Sequence, residues 1–332
     1  MSPIAAWVAF ALSALVSLGV SALLVARLER IASHLGFREA TLGLVAALAA
    51  DGPEITAAVT GLTRGQHAIG VGVVLGSNAF NLAALLGLGA LSAGRIRLHR
   101  DVMVFAGSVA TVVALLSVGA ASGALVPGAA LGLSAFVFVP YVVVSSVAPD
   151  TLTRWPLPSR FTTRLARAVS DEEQELAAVI DPKEAGPLDV VGATLALGTV
   201  IGSSILMEHA ASAIGEHYGI AEIVTGGVLL AAVTSLPNAV SAIYLAHRGR
   251  GSAVLSTALN SNALNVVVGL LLPAMFVGLG SYGGSGVLVA AWYAGLTVVA
   301  LALAYAGRGL GRVSGALVVC GYLGLVVTLA AR

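Results

Sequence analysis

The sequence predicts an all-α polytopic membrane protein: ten transmembrane helices in two inverted five-helix repeats, with helices 2 and 7 broken. Three observations predict it. The chain is 58% hydrophobic and 10% charged, with mean hydropathy +0.97, whereas a soluble domain carries about 25% charged residues. Its basic residues alternate between loops in the way an inverted repeat requires. And one pattern of polar residues, set inside membrane-grade sequence, occurs twice with the same spacing.

Apolar stretches of spanning length fall at roughly 4–26, 38–63, 67–93, 101–121, 125–147, 188–214, 220–246, 252–279, 285–305 and 312–331. The first lacks a charged segment before its apolar run and reads as a span, not a cleaved signal. The second is interrupted by Asp51-Gly52-Pro53-Glu54, and the third carries Gly76-Ser77-Asn78 and Asn81. The sixth contains Glu208 and His209. The seventh is interrupted by Ser235-Leu236-Pro237-Asn238, and the eighth carries Asn260-Ser261-Asn262 and Asn265. The tenth holds the single cysteine, Cys320, which excludes an intrachain disulfide and reads as a small apolar packer.

With the N-terminus outside, the inner loops hold Arg27, Arg30, Arg38, Arg95, Arg97, Arg100, the basic residues from Arg154 to Lys183, Arg248, Arg250, Arg308 and Arg312. Of seventeen basic residues only Arg64 and Arg332 fall outside. The chain then divides into a first repeat, 1–147, a cytoplasmic linker loop, 148–187, and an inverted second repeat, 188–332, with both termini outside. Pro149, Pro156, Pro158, Pro182 and Pro187 argue against a further span in the linker. Ser170-Asp171-Glu172-Glu173 reads there as a capping box opening a short surface helix through Ile180, its acids solvated.

A carboxylate in the middle of a span costs about 2.5–3.5 kcal/mol on insertion scales and should drift away unless it is used. Asp51 and Glu54 are three residues apart and would share one helix face. Gly52 and Pro53 interrupt that helix, so freed backbone oxygens would stand beside two acids. That donor set suits a hard cation such as Ca²⁺ or Na⁺. The alternative is that the acids line a water-filled vestibule. Ser77 and Asn81, four apart, face them from the third span, with Asn78 rotated away. Thr234, Ser235 and Asn238 play the broken-helix part in the second half, and Ser261 with Asn265 the facing part. Glu54 to Ser77 and Asn238 to Ser261 are both 23 residues; Glu54 to Asn81 and Asn238 to Asn265 are both 27. Lone Ser and Asn residues in membrane helices are usually interhelical glue, but the repeat favours a metal-ligand set: Glu54, Asp51, Ser77, Asn81, Thr234, Ser235, Asn238, Ser261 and Asn265. Glu39 and Glu222 read as acids complementing helix N-termini, and Glu208 with His209 as an interior hydrogen-bonded pair.

These motifs resemble those of the calcium/cation antiporter superfamily, to which the sodium/calcium exchangers belong. The family pattern is G-T-S-x-P-E followed by G-N-x-x-G-S-N-x-x-N, in two inverted copies. The second copy runs here from Gly219-Ile220-Ala221-Glu222 through Thr234-Ser235-Leu236-Pro237 to Asn265, and the first from Gly36 to Asn81. The resemblance implies alternating-access cation exchange. The chain departs from the pattern at its second acid, replaced by Asn238, and at the first-motif Thr-Ser, replaced by Ala50-Asp51. Val73 and Thr257 stand where asparagines open the second motif. The first copy is also one residue shorter between Glu39 and Pro53 than the second between Glu222 and Pro237. One acid lost and one gained would leave two carboxylates, enough to balance one Ca²⁺.

The expected function is therefore a secondary active cation antiporter, moving Ca²⁺ against Na⁺ or H⁺. The alternative on the same fold is a monovalent Na⁺ or K⁺/H⁺ antiporter with a retuned site. No cofactor is expected; the transported cations and the lipid bilayer are the partners, and no oligomer is implied. Neither a nucleotide-binding loop nor a nucleic-acid signature occurs, and no nucleophile–base pair or histidine metal triad points to an enzyme. The excess of Arg over Lys, with abundant Ala and Gly, points to a prokaryotic gene and hence to the plasma membrane.

Overall fold

The computed structural model describes residues 1–36, 39–177, 185–280 and 283–331. Its helices, in chain order, are α1 (Pro3–His34), α2 (Glu39–Ala50), α3 (Gly52–Thr63), α4 (His67–Ala93), α5 (Arg100–Ala121), α6 (Pro127–Ser145), α7 (Pro149–Leu152), α8 (Ser159–Ala177) and α9 (Pro187–Tyr218). They continue with α10 (Glu222–Thr234), α11 (Leu236–His247), α12 (Gly251–Val277), α13 (Gly283–Gly307) and α14 (Arg312–Ala330). Two three-residue strands, β1 (Arg95–Arg97) and β2 (Gly309–Gly311), pair antiparallel, Ile96 opposite Leu310, and are a small departure from an all-α chain. They fasten the end of α4 to the start of α14.

Among the described residues eight helices are long and apolar enough to cross a membrane. The pair α10 and α11, bent by 47° at Ser235, makes a ninth if taken as one span. The protein is thus a multi-pass membrane protein. The pair α2 and α3, which the sequence assigns to the second span, is not in that count. Of the basic residues expected in inner loops, Arg38 and Lys183 lie outside the described residues, as does Arg332.

The helices differ in what surrounds them. The most apolar window of α4 is 94% buried, against 28% for α9, so α4 runs through the centre while α9 faces lipid on most of its circumference. Small residues let α4 sit there. Gly72 and Gly76 lie directly on the backbone of Gly227 in α10: a Cβ on Gly72 would come within 2.8 Å of Gly227 N. Close approach of this kind is how membrane helices associate where apolar burial offers no drive. Helices α1 and α9 pack along each other, joined by a Ser17–Ser204 hydroxyl contact of 3.1 Å and by Arg27 and Arg30, whose guanidinium groups lie 2.8 and 3.3 Å from Asp189 Oδ1.

Three π-helical segments were not anticipated: Leu82–Leu88, Thr225–Leu230 and Asn265–Leu271. Such widened turns gather at functional sites, and here one follows Asn81 while another begins at Asn265. The hydrophilic segment also differs from expectation. Ser170 does not open a helix but lies inside α8, which starts at Ser159, just after Pro158. The earlier start follows from packing: Leu165, Ala166 and Val169 form one buried face against Val144 and Leu152. Residues 178–184, the expected end of that surface helix, lie outside the description.

Candidate functional site

Prolines create both breaks. Pro53 and Pro237 sit in the first turn of α3 and α11, where a missing amide donor costs nothing, and the helix preceding each must end. The chain does not unwind between α2 and α3 as expected. Asp51 N still donates to Ala47 O at 2.8 Å, and Ile55 N to Asp51 O at 2.9 Å. The carbonyl one turn before Pro53, Ala49 O, accepts a 3.3 Å hydrogen bond from Ser21 Oγ of α1. That oxygen is consumed by a helix–helix contact instead of standing beside the acids.

The two breaks bring Asp51, Glu54, Ser235, Asn238, Ser261 and Asn265 into one hydrogen-bonded cluster, whereas no hydrogen bond joins Ser77 or Asn81 to either acid. Asp51, Glu54, Ser77, Asn81, Ser235, Ser261 and Asn265 are wholly buried, and Thr234 and Asn238 nearly so. Asp51 Oδ1 accepts from Asn238 Nδ2 at 2.9 Å and from Ser261 Oγ at 2.6 Å. Asn238 Nδ2 is also 3.4 Å from Ser261 Oγ. Glu54 accepts from Ser235 Oγ at Oε1 and from Asn265 Nδ2 at Oε2, the latter at 2.6 Å. Each acid of the first half is held by a pair of neutral donors from the second. The pairing is reciprocal: the residue two before one proline meets the residue after the other, Asp51 with Asn238 and Ser235 with Glu54.

Thr234 does not join this cluster. Its hydroxyl donates to Leu230 O at 2.9 Å, within its own helix. Asn78 and Asn262, which spacing rotates away from the acids, form a separate two-fold clamp. Asn78 Nδ2 donates to Asn262 O at 2.9 Å and Asn262 Nδ2 to Asn78 O at 3.0 Å. The neighbouring amides close it, Asn81 Nδ2 on Asn262 Oδ1 and Asn265 Nδ2 on Asn78 Oδ1, both at 3.2 Å. The clamp fixes α4 against α12.

What the cluster lacks is positive charge. Among the described residues neither Asp51 nor Glu54 makes an ion pair, and burying each uncompensated carboxylate costs several kcal/mol. Among the candidate residues four buried oxygens have no hydrogen-bond donor: Asp51 Oδ2, Ser77 Oγ, Asn81 Oδ1 and Asn265 Oδ1. The last follows from chemistry, because a carboxylate only accepts, so Asn265 must turn its NH₂ to Glu54 and leave its own oxygen unpartnered. Two negative charges plus neutral oxygens form a donor set for a hard cation. The cluster offers oxygen donors and neither thiolate nor imidazole, a set that suits a hard cation better than a soft transition metal.

The remaining ionisable residues fall elsewhere. Glu222 stands exposed in the first turn of α10, and Glu39 opens α2. Glu208 is wholly buried but pairs mainly with Arg64, 3.0 Å away, while His209 Nδ1 lies 3.7 Å off and is 2.7 Å from Ile205 O. That Arg64 partnership joins residues 144 apart in the chain and is not legible from spacing.

Known proteins resemble this chain in sequence and in fold. The family described as sodium/calcium exchanger protein matches residues 5–148 and 189–331. Inner membrane protein YrbG of Escherichia coli (strain K12) is 25% identical over 230 residues, 67% of this chain and 65% of that one. Sodium/potassium/calcium exchanger 1 of Bos taurus is 38% identical over 76 residues, 23% of this chain and only 6% of that protein. Structures of the sodium-calcium exchanger NCX_Mj superpose over 98% of this chain and 99% of theirs, with TM-scores of 0.59 and 0.60 at 19% and 21% identity. That likeness concerns the fold. The family match covers most of the chain, with its interruption in the hydrophilic segment. The chain therefore belongs to the sodium/calcium exchanger protein family, a family of transporters and not of enzymes.

Proposed function

We propose that the chain is a secondary active cation antiporter that exchanges Ca²⁺ for Na⁺ or H⁺ by alternating access at the Asp51–Glu54 cluster. The observation that carries this reading is a pair of fully buried carboxylates with no counter-charge among the described residues, where Asp51 Oδ2 and the oxygen of Asn265, the amide that holds Glu54, lack donors. Glu54 is the main ligand and Asp51 the second acid. Ser77, Asn81, Asn238, Ser261 and Asn265 supply neutral oxygens. Ser235 takes part through its hydroxyl, and Thr234 contributes at most its backbone oxygen. Two charges balance one Ca²⁺.

Taking α2 with α3 as one broken second span, and α10 with α11 as a broken seventh, gives ten spans. We read them as two inverted five-helix repeats, 1–147 and 188–332, joined by a cytoplasmic linker at 148–187, with both termini outside the plasma membrane. The reciprocal pairing of Asp51 with Asn238 and Ser235 with Glu54 supports that symmetry. So does the Asn78–Asn262 clamp.

The test is uptake of labelled Ca²⁺ into proteoliposomes under an imposed Na⁺ or pH gradient. Wild-type protein should accumulate Ca²⁺ and Glu54→Gln should not; equal behaviour in every gradient would end the proposal. Asn238, neutral where the family pattern has an acid, favours one second reading: exchange of Na⁺ or K⁺ for H⁺. Calorimetric titration separates the two, because only the first expects a saturable Ca²⁺ site.

A further inference from the structure

Helices α1, α2 and α11, with Thr257 of α12, line an open cleft of about 760 Å³. Leu18, Ser21, Val25 and Glu29 line it from one face of α1, and Ser241 and Tyr244 from α11. It reaches Ala50, Pro237 and Asn238 at the two breaks, and Asn238 is itself hydrogen-bonded to Asp51. Its other end lies at the turns that carry Arg27, Arg30 and Arg248, the face the positive-inside rule puts inside. Six residues of α11 separate Asn238 from Tyr244, about 9 Å along the axis.

Among the described residues Glu29 is the one acidic residue that lines this cleft. It is half-buried, and among the described residues it has no hydrogen-bond or ion-pair partner. Arg27 and Arg30, its neighbours on α1, turn instead to Asp189 of α9. Arg248 stacks on the Tyr244 ring at 5.3 Å and does not line the space. The walls are otherwise apolar apart from Ser21, Asn238, Ser241, Tyr244 and Thr257. A single carboxylate among low-dielectric walls sets the sign of the potential throughout such a cleft and concentrates ions of opposite charge. Glu29 stands near the inner end of α1, where among the described residues no hydrogen bond or ion pair holds its carboxylate.

We propose that this cleft is the aqueous path from the inner face to the site, and that Glu29 is the residue that concentrates cations in it. The idea rests on the antiporter reading, yet its test does not. In a Cys320→Ala background, Ser241→Cys and, on the facing wall, Ala46→Cys report access by modification with small membrane-impermeant thiol reagents added to the inner face. Both cysteines should react, and a cationic reagent should react several-fold faster than an anionic one of similar size. Glu29→Gln should erase that preference, and Glu29→Asp should keep most of it. In exchange assays Glu29→Gln should raise the KM for Ca²⁺ several-fold at the inner face and leave the outer KM unchanged. Cysteines that do not react from the inner face, in variants that purify as folded monodisperse protein, would overturn the path. A charge preference indifferent to Glu29→Gln would overturn the role of Glu29. Should wild-type protein exchange no cation, the antiporter reading fails while the thiol rates still decide this one.

Discussion

Asn238 Nδ2 donates to Asp51 Oδ1 at 2.9 Å, joining the neutral residue of one break to the acid of the other. Asn238 stands where the family pattern carries its second acid, and Asp51 where that pattern carries a serine. The contact therefore pairs the lost charge with the gained one in space. On that resemblance, one acid lost and one gained across the interface between the halves would leave the site two carboxylates.

This relationship is testable by moving the charge back. Asn238→Glu alone puts a third carboxylate beside Asp51, removes its donor, and should destabilise the cation-free protein by several kcal/mol. Adding Ca²⁺ should recover part of that loss through binding to the folded state. The double variant Asp51→Ser/Asn238→Glu restores two charges and should regain near-wild-type stability and Ca²⁺ affinity within about tenfold, or about 1.4 kcal/mol. Thermal unfolding in detergent, with and without Ca²⁺, measures both. If the single and double variants behave alike, charge count does not govern the site.

Asn78 and Asn262 should behave as one unit. Asn78→Ala removes donors and acceptors from a buried clamp and should cost about 1–3 kcal/mol. Asn262→Ala should cost the same, and the double variant should cost less than their sum, with a coupling of about 0.5–3 kcal/mol. A double-mutant cycle with strictly additive effects would show that the two amides act independently.

Gly76 tests the approach of α4 to α10. A Cβ there would lie 2.5 Å from Gly227 Cα, which is backbone and cannot step aside. Gly76→Ala should cost more than the usual 1–3 kcal/mol or so of overpacking and abolish monodisperse protein. Gly202→Ala, on the lipid-facing side of α9 with nothing within 4 Å, should instead stabilise by about 0.5–1 kcal/mol, as alanine does in a helix interior. Size-exclusion profiles of the two variants provide the contrast.

Arg64 should matter for stability although its side chain is 40% exposed. Arg64→Ala leaves buried Glu208 with only His209 at 3.7 Å. The expected loss is about 1–3 kcal/mol, below the value for a fully buried pair because water reaches the guanidinium. Arg64→Ala/Glu208→Gln should recover most of it, since no buried charge then remains. Melting temperatures of the three proteins check this.

Much of this arrangement was legible in the sequence because membranes exaggerate two signals. Apolar length fixed the helices to within a few residues over most of the chain, although α1 and α9 run several residues past the ends hydropathy suggested. Acids and prolines are so disfavoured inside spans that Asp51, Pro53, Glu54 and Pro237 stood out. Repeat spacing then found Ser77, Asn81, Ser261 and Asn265. What spacing could not reveal was orientation across the interface. Asn78, which spacing rotates away from the acids, turns toward Asn262, and a single-helix projection cannot show that. The use of Ala49 O by Ser21 depends on how closely α1 approaches α2, a tertiary fact. Glu29 escaped notice because an acid near the end of a long helix, beside two arginines, reads as an ordinary interfacial charge. Helix α8 begins early because its apolar face packs on α6 and α7, which outweighed the capping signal at Ser170.

The central claim is that one cation sits between the two halves on Asp51 and Glu54. The most direct measurement is anomalous scattering from crystals soaked in Sr²⁺, a heavy stand-in for Ca²⁺. The expected result is one strong peak bounded by Asp51 Oδ2, a Glu54 carboxylate oxygen and the oxygens of Ser77, Asn81 and Asn265, absent in Glu54→Gln. A peak elsewhere, or none at saturating Sr²⁺ with those oxygens turned apart, would contradict it.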